Sequence, residues 1–317
     1  MPKIGYFLAC EEFGPAELLG QARRAEEAGF EALWISDHYH PWTEEQGNSP
    51  FIWSVIGGLS QATSLPVTTG VTCPTMRIHP AIIAQAAATS AVMLDGRFVL
   101  GVGTGENLNE HILGDHWPET NVRLEMLEEA MEVMRLLWEG GTQSHYGKHY
   151  TVENARIYTL PEEPPPIYIS GFGPKSIQLA GRLGDGYCGV DPDPETVSLF
   201  RDSGGGDKPA QAGTKVCWAE DGQEALETAY RIWPNEVLPG ELAQELPTPA
   251  HFEQAASIVT EEMVAEAFAL GPDPERYREM LRGYFEAGYD EVYIQQIGPE
   301  QEGFFRFYEK EVMPRLR

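Results

Sequence analysis

Residues 31–42 read Glu-Ala-Leu-Trp-Ile-Ser-Asp-His-Tyr-His-Pro-Trp, an apolar run followed at once by titratable and aromatic side chains. The apolar part, residues 32–35, is typical of a buried strand. Polar groups directly after such a strand are typical of an α/β active site, because ligands of these folds bind at the carboxyl ends of the strands. A polar loop with one buried histidine explains this stretch equally well when it is taken alone.

Strand and helix patterns alternate along almost the whole chain. Apolar runs bounded by turn residues predict eight strands, at 3–9, 32–35, 66–72, 97–102, 167–170, 186–190, 214–219 and 291–296. Helical spacing predicts helices at 15–29, 50–63, 80–94, 121–139, 174–183, 221–233, 273–288 and 303–316. Residues 202–213, which include three consecutive glycines, are predicted to form a mobile or disordered loop.

This alternation predicts an α/β protein, and specifically a (β/α)₈ TIM barrel. No internal repeat or linker interrupts residues 1–317, so we expect a single barrel domain. It carries a short hairpin within 140–166 and a helix-rich insertion at about 234–271. An open doubly wound sheet is the competing architecture, because a strand count does not prove closure. The chain length favours closure, since such barrels take about 250 residues plus insertions.

The composition excludes several kinds of partner. With 49 acidic and 22 basic residues, the net charge of −27 argues against nucleic acid and anionic membranes. No apolar run approaches the roughly 18 residues of a membrane span, and the N-terminus lacks a signal-peptide pattern, so we expect a cytoplasmic protein. High solubility and adaptation to salt both explain the acidity.

The four cysteines are far apart and form no Cys-x-x-Cys pair. This spacing predicts reduced thiols that pack in or beside strands, and it favours neither disulfides nor zinc ligands. The histidines are also spread, and with their neighbouring carboxylates they do not predict a metal site.

Polar and glycine-rich segments follow the predicted strands, where a TIM barrel places its active site. They are 11–12, 37–42, 71–77, 101–110 and 170–176. His38 is the candidate general base, because a histidine can take a proton near neutral pH. A lone histidine is more often a core or surface group, but Asp37, Trp42 and Glu106 are expected on the same face of the barrel. His40 and His79 look ordinary.

Alternating glycines follow the fourth predicted strand, in Gly-Val-Gly-Thr-Gly-Glu at 101–106. The segment lacks the third glycine and the acidic residue of a dinucleotide fingerprint at the required spacing, so we reject that interpretation. Glycines here allow a planar ligand to lie against the backbone, where a Cβ would obstruct it. Glycines required only by turns are the alternative.

The segment 170–176, Ser-Gly-Phe-Gly-Pro-Lys-Ser, begins the predicted helix 174–183. Free amides in the first turn and the charge of Lys175 make it a candidate phosphate seat in an otherwise acidic protein. It lacks the spacing of a P-loop. A glycine turn with a solvated lysine is the alternative.

Taken together, these motifs resemble the luciferase-like barrel superfamily and, within it, the coenzyme F420-dependent oxidoreductases, in the group related to glucose-6-phosphate dehydrogenase and secondary alcohol dehydrogenase. The resemblance covers about 3–190 and the last two helices. The matching segments are Ser36-Asp37-His38 with Pro41-Trp42, Thr72-Cys73-Pro74-Thr75-Met76-Arg77 with 80–85, 103–110, and Gly173-Pro174 with Ala180-Gly181-Arg182.

The resemblance implies a dehydrogenase or reductase that transfers a hydride between a substrate carbinol carbon and C5 of the deazaflavin F420. It implies that His38 takes the hydroxyl proton, that Trp42 and Glu11 orient the substrate, and that Glu106 exchanges a proton at ring N1. It also implies a cis peptide between Gly70 and Val71. The implied cofactor contacts are Asp37, Gly70, Val71, Gly105, Glu106 and Asn109 at the ring and ribityl chain, and Ser170, Gly171, Gly173, Pro174, Lys175 and Ser176 at the phosphate and tail.

The resemblance further implies a homodimer.

Departures of this sequence from the family pattern bear on the substrate. The sugar-phosphate enzymes of the family use basic residues from the later loops, but here those segments read Asp-Pro-Asp-Pro-Glu at 191–195 and Met-Val-Ala-Glu-Ala-Phe at 263–268. Acids there would repel a phosphate. We therefore expect a neutral alcohol or ketone, or an unphosphorylated sugar. The alternatives are an FMN-dependent monooxygenase of the same superfamily and a non-catalytic protein that binds flavin or F420.

Overall fold

Eight parallel strands form a closed barrel in the computed structural model, which describes residues 2–316. The strands of the chain are β1 Lys3–Leu8, β2 Leu33–Ile35, β3 Val67–Thr69, β4 Phe98–Val102, β5 Gln143–Tyr146, β6 Thr151–Ala155, β7 Ile167–Ser170, β8 Gly186–Gly189, β9 Ala210–Cys217, β10 Ala269–Leu270 and β11 Glu291–Gln296. The barrel order is β9-β11-β1-β2-β3-β4-β7-β8, and pairing of β8 with β9 closes the ring. Closure excludes the open sheet and confirms the predicted TIM barrel.

Helices surround the barrel and cover its outer face. They are α1 Pro15–Glu27, α2 Ile52–Ala62, α3 Pro80–Met93, α4 Asn107–Glu110, α5 Thr120–Trp138, α6 Pro174–Leu183, α7 Pro194–Phe200, α8 Gly222–Ile232, α9 Leu242–Glu245, α10 Pro249–Ala256, α11 Glu261–Ala267, α12 Pro274–Ala287 and α13 Gln301–Phe307. Proline in the first turn begins many of them, because the missing amide is one that a helix start leaves unpaired anyway. No helix within residues 2–316 has the length and apolar character that crossing a membrane requires.

Aromatic side chains fill the inside of the barrel. Trp34 stacks on Tyr293 with ring centroids 4.8 Å apart. Glycines on the facing strands make room for these rings, since a Cβ at Gly5 would lie 2.3 Å from Tyr293 and one at Gly213 would lie 2.7 Å from Trp34. This part of the barrel is thus a packed core, and TIM barrels place their sites at the carboxyl ends of the strands.

The predicted mobile loop at 202–213 is wrong. A π-helical turn, Arg201–Gly205, continues α7, and β9 begins at Ala210, earlier than the predicted 214. The turn is held because Gly205 packs against Phe200 and the Arg201 guanidinium donates to the carbonyl of Gly206 at 2.7 Å. Gly204 and Gly205 therefore serve close packing, whereas Gly206 has open space around it and a φ of +53° that favours glycine. No pattern in the sequence predicts the short elements α4 and β10. The hairpin β5–β6 lies within the predicted segment 140–166.

Candidate active site at the carboxyl ends of the strands

The four predicted catalytic side chains lie together at the mouth of the barrel. His38 Nε2 is 3.4 Å from Glu11 Oε1 and 3.7 Å from Glu106 Oε2. The ring of Trp42 lies 4.8 Å from that of His38. His38 and Glu11 are buried, whereas the Glu106 side chain is 30% exposed and reaches the open mouth. A histidine between two carboxylates is suited to moving a proton.

The Asn109 amide is held in one orientation by the backbone after β2. Its Oδ1 accepts from the amides of Tyr39 and His40, at 2.8 and 3.2 Å. Its Nδ2 therefore faces the two remaining partners, Glu106 Oε2 at 2.9 Å and His38 Nδ1 at 3.1 Å. The residue is almost completely buried, and protein groups contact both of its polar atoms. The structure thus places Asn109 as a support for His38 and Glu106.

Two groups compete for Nδ1 of His38. The Asn109 amide donates and so favours a neutral ring with its proton on Nε2, whereas the carbonyl of His40, 3.2 Å away, accepts and so favours a proton on Nδ1. Only the second tautomer leaves Nε2 free to take a proton at the mouth. In the protonated ring Nδ1 would donate to the His40 carbonyl and Nε2 would face Glu11, while the Asn109 amide would keep only its bond to Glu106.

A buried ion-pair network links the segments that follow β2, β3 and β4. Arg77 Nη2 is 2.9 Å from Asp37 Oδ1, and its Nε is 3.5 Å from Glu110 Oε1. The backbone amide of Arg77 donates to Glu110 Oε2 at 2.8 Å, and the Thr72 hydroxyl donates to Asp37 Oδ2 at 2.8 Å. Asp37 directly precedes His38 and Glu110 directly follows Asn109 in the chain. The network therefore fixes the backbone that carries the candidate base and its support.

This network alters the interpretation of Asp37. The side chain of this predicted ring contact has no exposed surface, and Thr72 and Arg77 occupy its two oxygens. Arg77 and Glu110, which lie in the quoted motifs, were not predicted as site residues. The sequence shows only that an arginine and an acid follow apolar strands. Their separation along the chain does not indicate that the two side chains pair.

The Gly70–Val71 peptide is cis, as the resemblance implied. A Cβ at Gly70 would lie 2.8 Å from the ring of Trp34. Val71 is partly buried and packs against the cluster inside the barrel that includes Trp34. These residues form an apolar floor beneath the mouth.

The glycines after β4 fit against the protein itself. A Cβ at Gly103 would lie 2.9 Å from Val71 Cγ2, and one at Gly105 would lie 2.6 Å from Cys73 Sγ. Gly105 also has φ +83°, a conformation that other residues rarely adopt. The positive φ thus explains the glycine at position 105, whereas Gly103 packs against Val71 of the apolar floor.

The candidate phosphate seat lies at the start of α6, three strands from β2 around the barrel. Gly173 precedes the helix, and a Cβ there would meet nothing within 4 Å, so its surface is open. Pro174 occupies the first turn, and Lys175 Nζ contacts Asn121 Oδ1 at 2.7 Å. The remaining predicted residues are turn formers: the Ser176 hydroxyl donates to the Gly173 carbonyl, the Gly171 carbonyl accepts from Tyr187, and Ser170 ends β7.

Comparisons with known proteins agree with the barrel fold. The family model described as luciferase-like monooxygenase matches residues 3–291. This chain belongs to the luciferase-like family. The family that the motifs predicted is thereby confirmed.

Several relatives of this luciferase-like chain carry specific names. An F420-dependent glucose-6-phosphate dehydrogenase of Microbacterium testaceum is 37% identical, with 99% of this chain and 97% of the relative covered. One of Nakamurella multipartita is 34% identical, with 99% and 96% covered. Among solved structures, an F420-dependent secondary alcohol dehydrogenase in complex with an F420-acetone adduct is 32% identical, with a TM-score of 0.92 and 100% and 99% covered.

We expect Asn109→Ala to shift the tautomer of His38. Loss of the amide donor leaves the carbonyl of His40 as the partner of Nδ1, so the population protonated on Nδ1 should rise. Nitrogen NMR shifts of the His38 ring in the neutral form check this. The matched control is Asn107→Ala, whose side chain donates to the carbonyl of Glu245. An unchanged His38 tautomer in Asn109→Ala would contradict the assignment.

Glu110 should make stability depend on pH. Burial raises the pKa of Glu110 to about 7, and the opposing effect of Arg77 is smaller. Between about pH 4.5 and 7 the folded chain therefore binds more protons than the unfolded chain, so this contribution to the free energy of unfolding falls as pH rises. In wild type this decrease in the free energy of unfolding should be on the order of 1–3 kcal/mol, and we expect Glu110→Gln to lack it.

Urea unfolding at several pH values measures this slope. Glu153→Gln, on the exposed side of β6, is the control for the loss of one carboxylate and should retain the wild-type slope. Identical slopes for wild type and Glu110→Gln would show that Glu110 titrates alike in the folded and unfolded states.

Proposed function

We propose that this chain is a coenzyme F420-dependent oxidoreductase that acts on CH–OH groups by hydride transfer. The observation that carries the proposal is the histidine between two carboxylates, His38 with Glu11 and Glu106, at the open end of a luciferase-like barrel. The names of the relatives support the cofactor and the reaction class. A neighbour at 23% identity, an F420-dependent tetrahydromethanopterin reductase, supports the fold only.

The residues present fit a deazaflavin. A planar ring needs an apolar floor, which Val71 and the cluster beneath it supply. A phosphate needs free donors, and α6 begins beside the open Gly173 with Lys175 in its first turn. Because the floor and the seat lie at neighbouring positions of one mouth, a ligand with a ring at one end and a phosphate further along can contact both.

The bound coenzyme would supply the hydride acceptor or donor at its C5 position. Val71 and Gly103 would lie beside the ring, and the first turn of α6 would hold the phosphate. Asp37 would act through the network of Arg77, since its own side chain is enclosed.

His38 would take the substrate hydroxyl proton at Nε2. The ring is ready for this when Nδ1 donates to the carbonyl of His40, and Glu11 then accepts from the protonated Nε2. The carboxylate of Glu106 lies at the mouth, where it would exchange a proton with ring N1 of the coenzyme. Trp42 packs edge-on against Phe252 of α10 with ring centroids 5.1 Å apart, so the insertion helps to exclude water from one wall.

Cofactor selectivity tests the proposal directly. The purified chain should bind F420 at least about tenfold more tightly than FMN, a difference of roughly 1.4 kcal/mol. Quenching of cofactor fluorescence measures both affinities. Equal or tighter binding of FMN would overturn the deazaflavin assignment in favour of a flavin monooxygenase. F420 binding with no reduction by any alcohol or sugar would favour the non-catalytic alternative.

We expect His38→Ala to lower kcat about 10²- to 10⁴-fold while F420 affinity changes little, because the ring moves a proton but does not carry the floor or the phosphate seat. Steady-state reduction of F420 and fluorescence titration provide the two readouts. His116→Ala, on an exposed loop, is the matched control. Full activity of His38→Ala would remove the residue from the catalytic role.

We also propose a homodimer that forms through α2 and α3. Phe51, the residue before α2, and Ile82, Val92 and Met93 of the adjacent α3 are each between 43% and 57% exposed. Residues 82 and 93 share one face of α3, because they lie eleven residues or about three turns apart. Such a patch is unusual on a monomer and typical of an interface.

Ile82→Glu should weaken this association and yield a chain of monomer mass, whereas wild type should elute at twice 35.2 kDa. Light scattering after size exclusion measures both masses. Ile258→Glu, at an equally exposed apolar position of the insertion, is the control and should remain dimeric. A monomeric wild type would contradict this proposal.

A further inference from the structure

Lys215 faces the inside of the barrel near the carboxyl end of β9. Alternate residues of this strand point inward, and Gln211 accepts from Trp34 in the barrel interior at 2.9 Å. Lys215 follows by four residues and pairs in register with the buried Gln295 of β11. Its side chain is only 12% exposed. A lysine thus lies in the wall of the mouth, although the sequence placed it within a strand and gave it no role.

Two residues that flank the junction of α8 and the insertion contact this ammonium group. Glu236 Oε1 lies 2.8 Å from Lys215 Nζ, and the ring centroid of Trp233 lies 4.6 Å from it. Trp233 is itself fixed, because its Nε1 donates to Glu12. A largely buried ammonium requires a counter-charge, and Glu236 supplies it. The lysine charge is therefore already neutralised by the protein.

The pair belongs to the same mouth as His38. The barrel order from Lys215 to His38 is β9-β11-β1-β2, three strand intervals or about 14 Å along the wall. Adjacent residues after β1 connect the two, because Glu11 contacts His38 and Glu12 accepts from Trp233 and from Gln295. A substrate that presents one carbon to His38 can extend along this wall toward Lys215.

The charges along this wall disfavour an anion. Besides Glu236, the loop after β8 brings Asp191 close, and burial, followed by the charge of Glu236, raises the pKa of Asp191. The guanidinium of Arg77 is engaged by Asp37 and Glu110 and is not available to a ligand. A phosphate at this wall would have to displace Glu236 from Lys215 and then lie beside its carboxylate.

Building on the proposed function, we propose that Lys215 and Glu236 bind the end of the substrate distant from the reacting carbon and select an uncharged, hydroxyl-bearing substrate over a phosphomonoester. A hydroxyl both donates and accepts, so it can bond to the ammonium and to the carboxylate without separating them. The dianion of a phosphomonoester only accepts, and the Glu236 carboxylate repels its charge.

Glu236→Gln tests this selection, because it removes the negative charge and keeps the size of the side chain. Thermal shift titrations with inorganic phosphate and with glucose 6-phosphate, without coenzyme, measure anion binding. We expect both ligands to bind Glu236→Gln at least about tenfold more tightly than wild type. Lys215→Met combined with Glu236→Gln should abolish the gain. Glu45→Gln, which removes an exposed acid paired with Arg231, is the matched control and should resemble wild type.

Equal phosphate affinity in wild type and Glu236→Gln would overturn the inference, as would a gain that survives Lys215→Met. If Glu236→Gln fails to fold, Glu236→Ala repeats the test with the same expected gain. With F420 present, the ratio of kcat/KM for glucose 6-phosphate to that for glucose should rise about tenfold in Glu236→Gln. Failure of wild type to bind F420 would overturn the proposed function instead, and the titrations without coenzyme would still test the pair.

Discussion

The buried contact of Arg77 with Asp37 and Glu110 is the interaction on which the rest of the site depends. It joins the segments after three neighbouring strands in a place that water does not reach, so each charge relies on the others. Asp37 is one residue from the candidate base, and Glu110 is one residue from the asparagine that orients it. Removing the guanidinium would leave two enclosed carboxylates without a cation. The buried ion pairs of Arg77, which lie behind the mouth, therefore fix the position of His38.

Barrel closure brings the residues of the site together. Because eight parallel strands end on one rim, groups far apart in the sequence, such as Glu11 and Glu106, meet around His38. Aromatic rings close the barrel below, and the insertion closes one side through Phe252 against Trp42. The result is a mouth with His38, the proposed base, at one wall and the Lys215–Glu236 pair at another.

Much of this arrangement was predictable from local patterns, and the rest was not. Strand ends are marked in the sequence by a switch from apolar to polar residues, so the positions of His38, Glu106 and the start of α6 could be inferred. Partnership is a property of three dimensions. Nothing in the sequence indicated that Asn109 supports His38, that the Asp37 side chain is enclosed, or that the glycines near 204 form a packed turn. Lys215 was overlooked because a strand residue flanked by Thr214 and Val216 reads as sheet, and its partner Glu236 is 21 residues away in the chain.

We propose that hydride passes directly between a substrate carbinol carbon and C5 of F420 at this mouth. The most direct measurement uses an alcohol substrate that carries deuterium on the carbinol carbon and follows the label by mass spectrometry of the reduced coenzyme. We expect one deuterium per turnover to appear at C5, because no solvent proton replaces a hydride that passes directly. Reduced coenzyme that carries only hydrogen from water would contradict it.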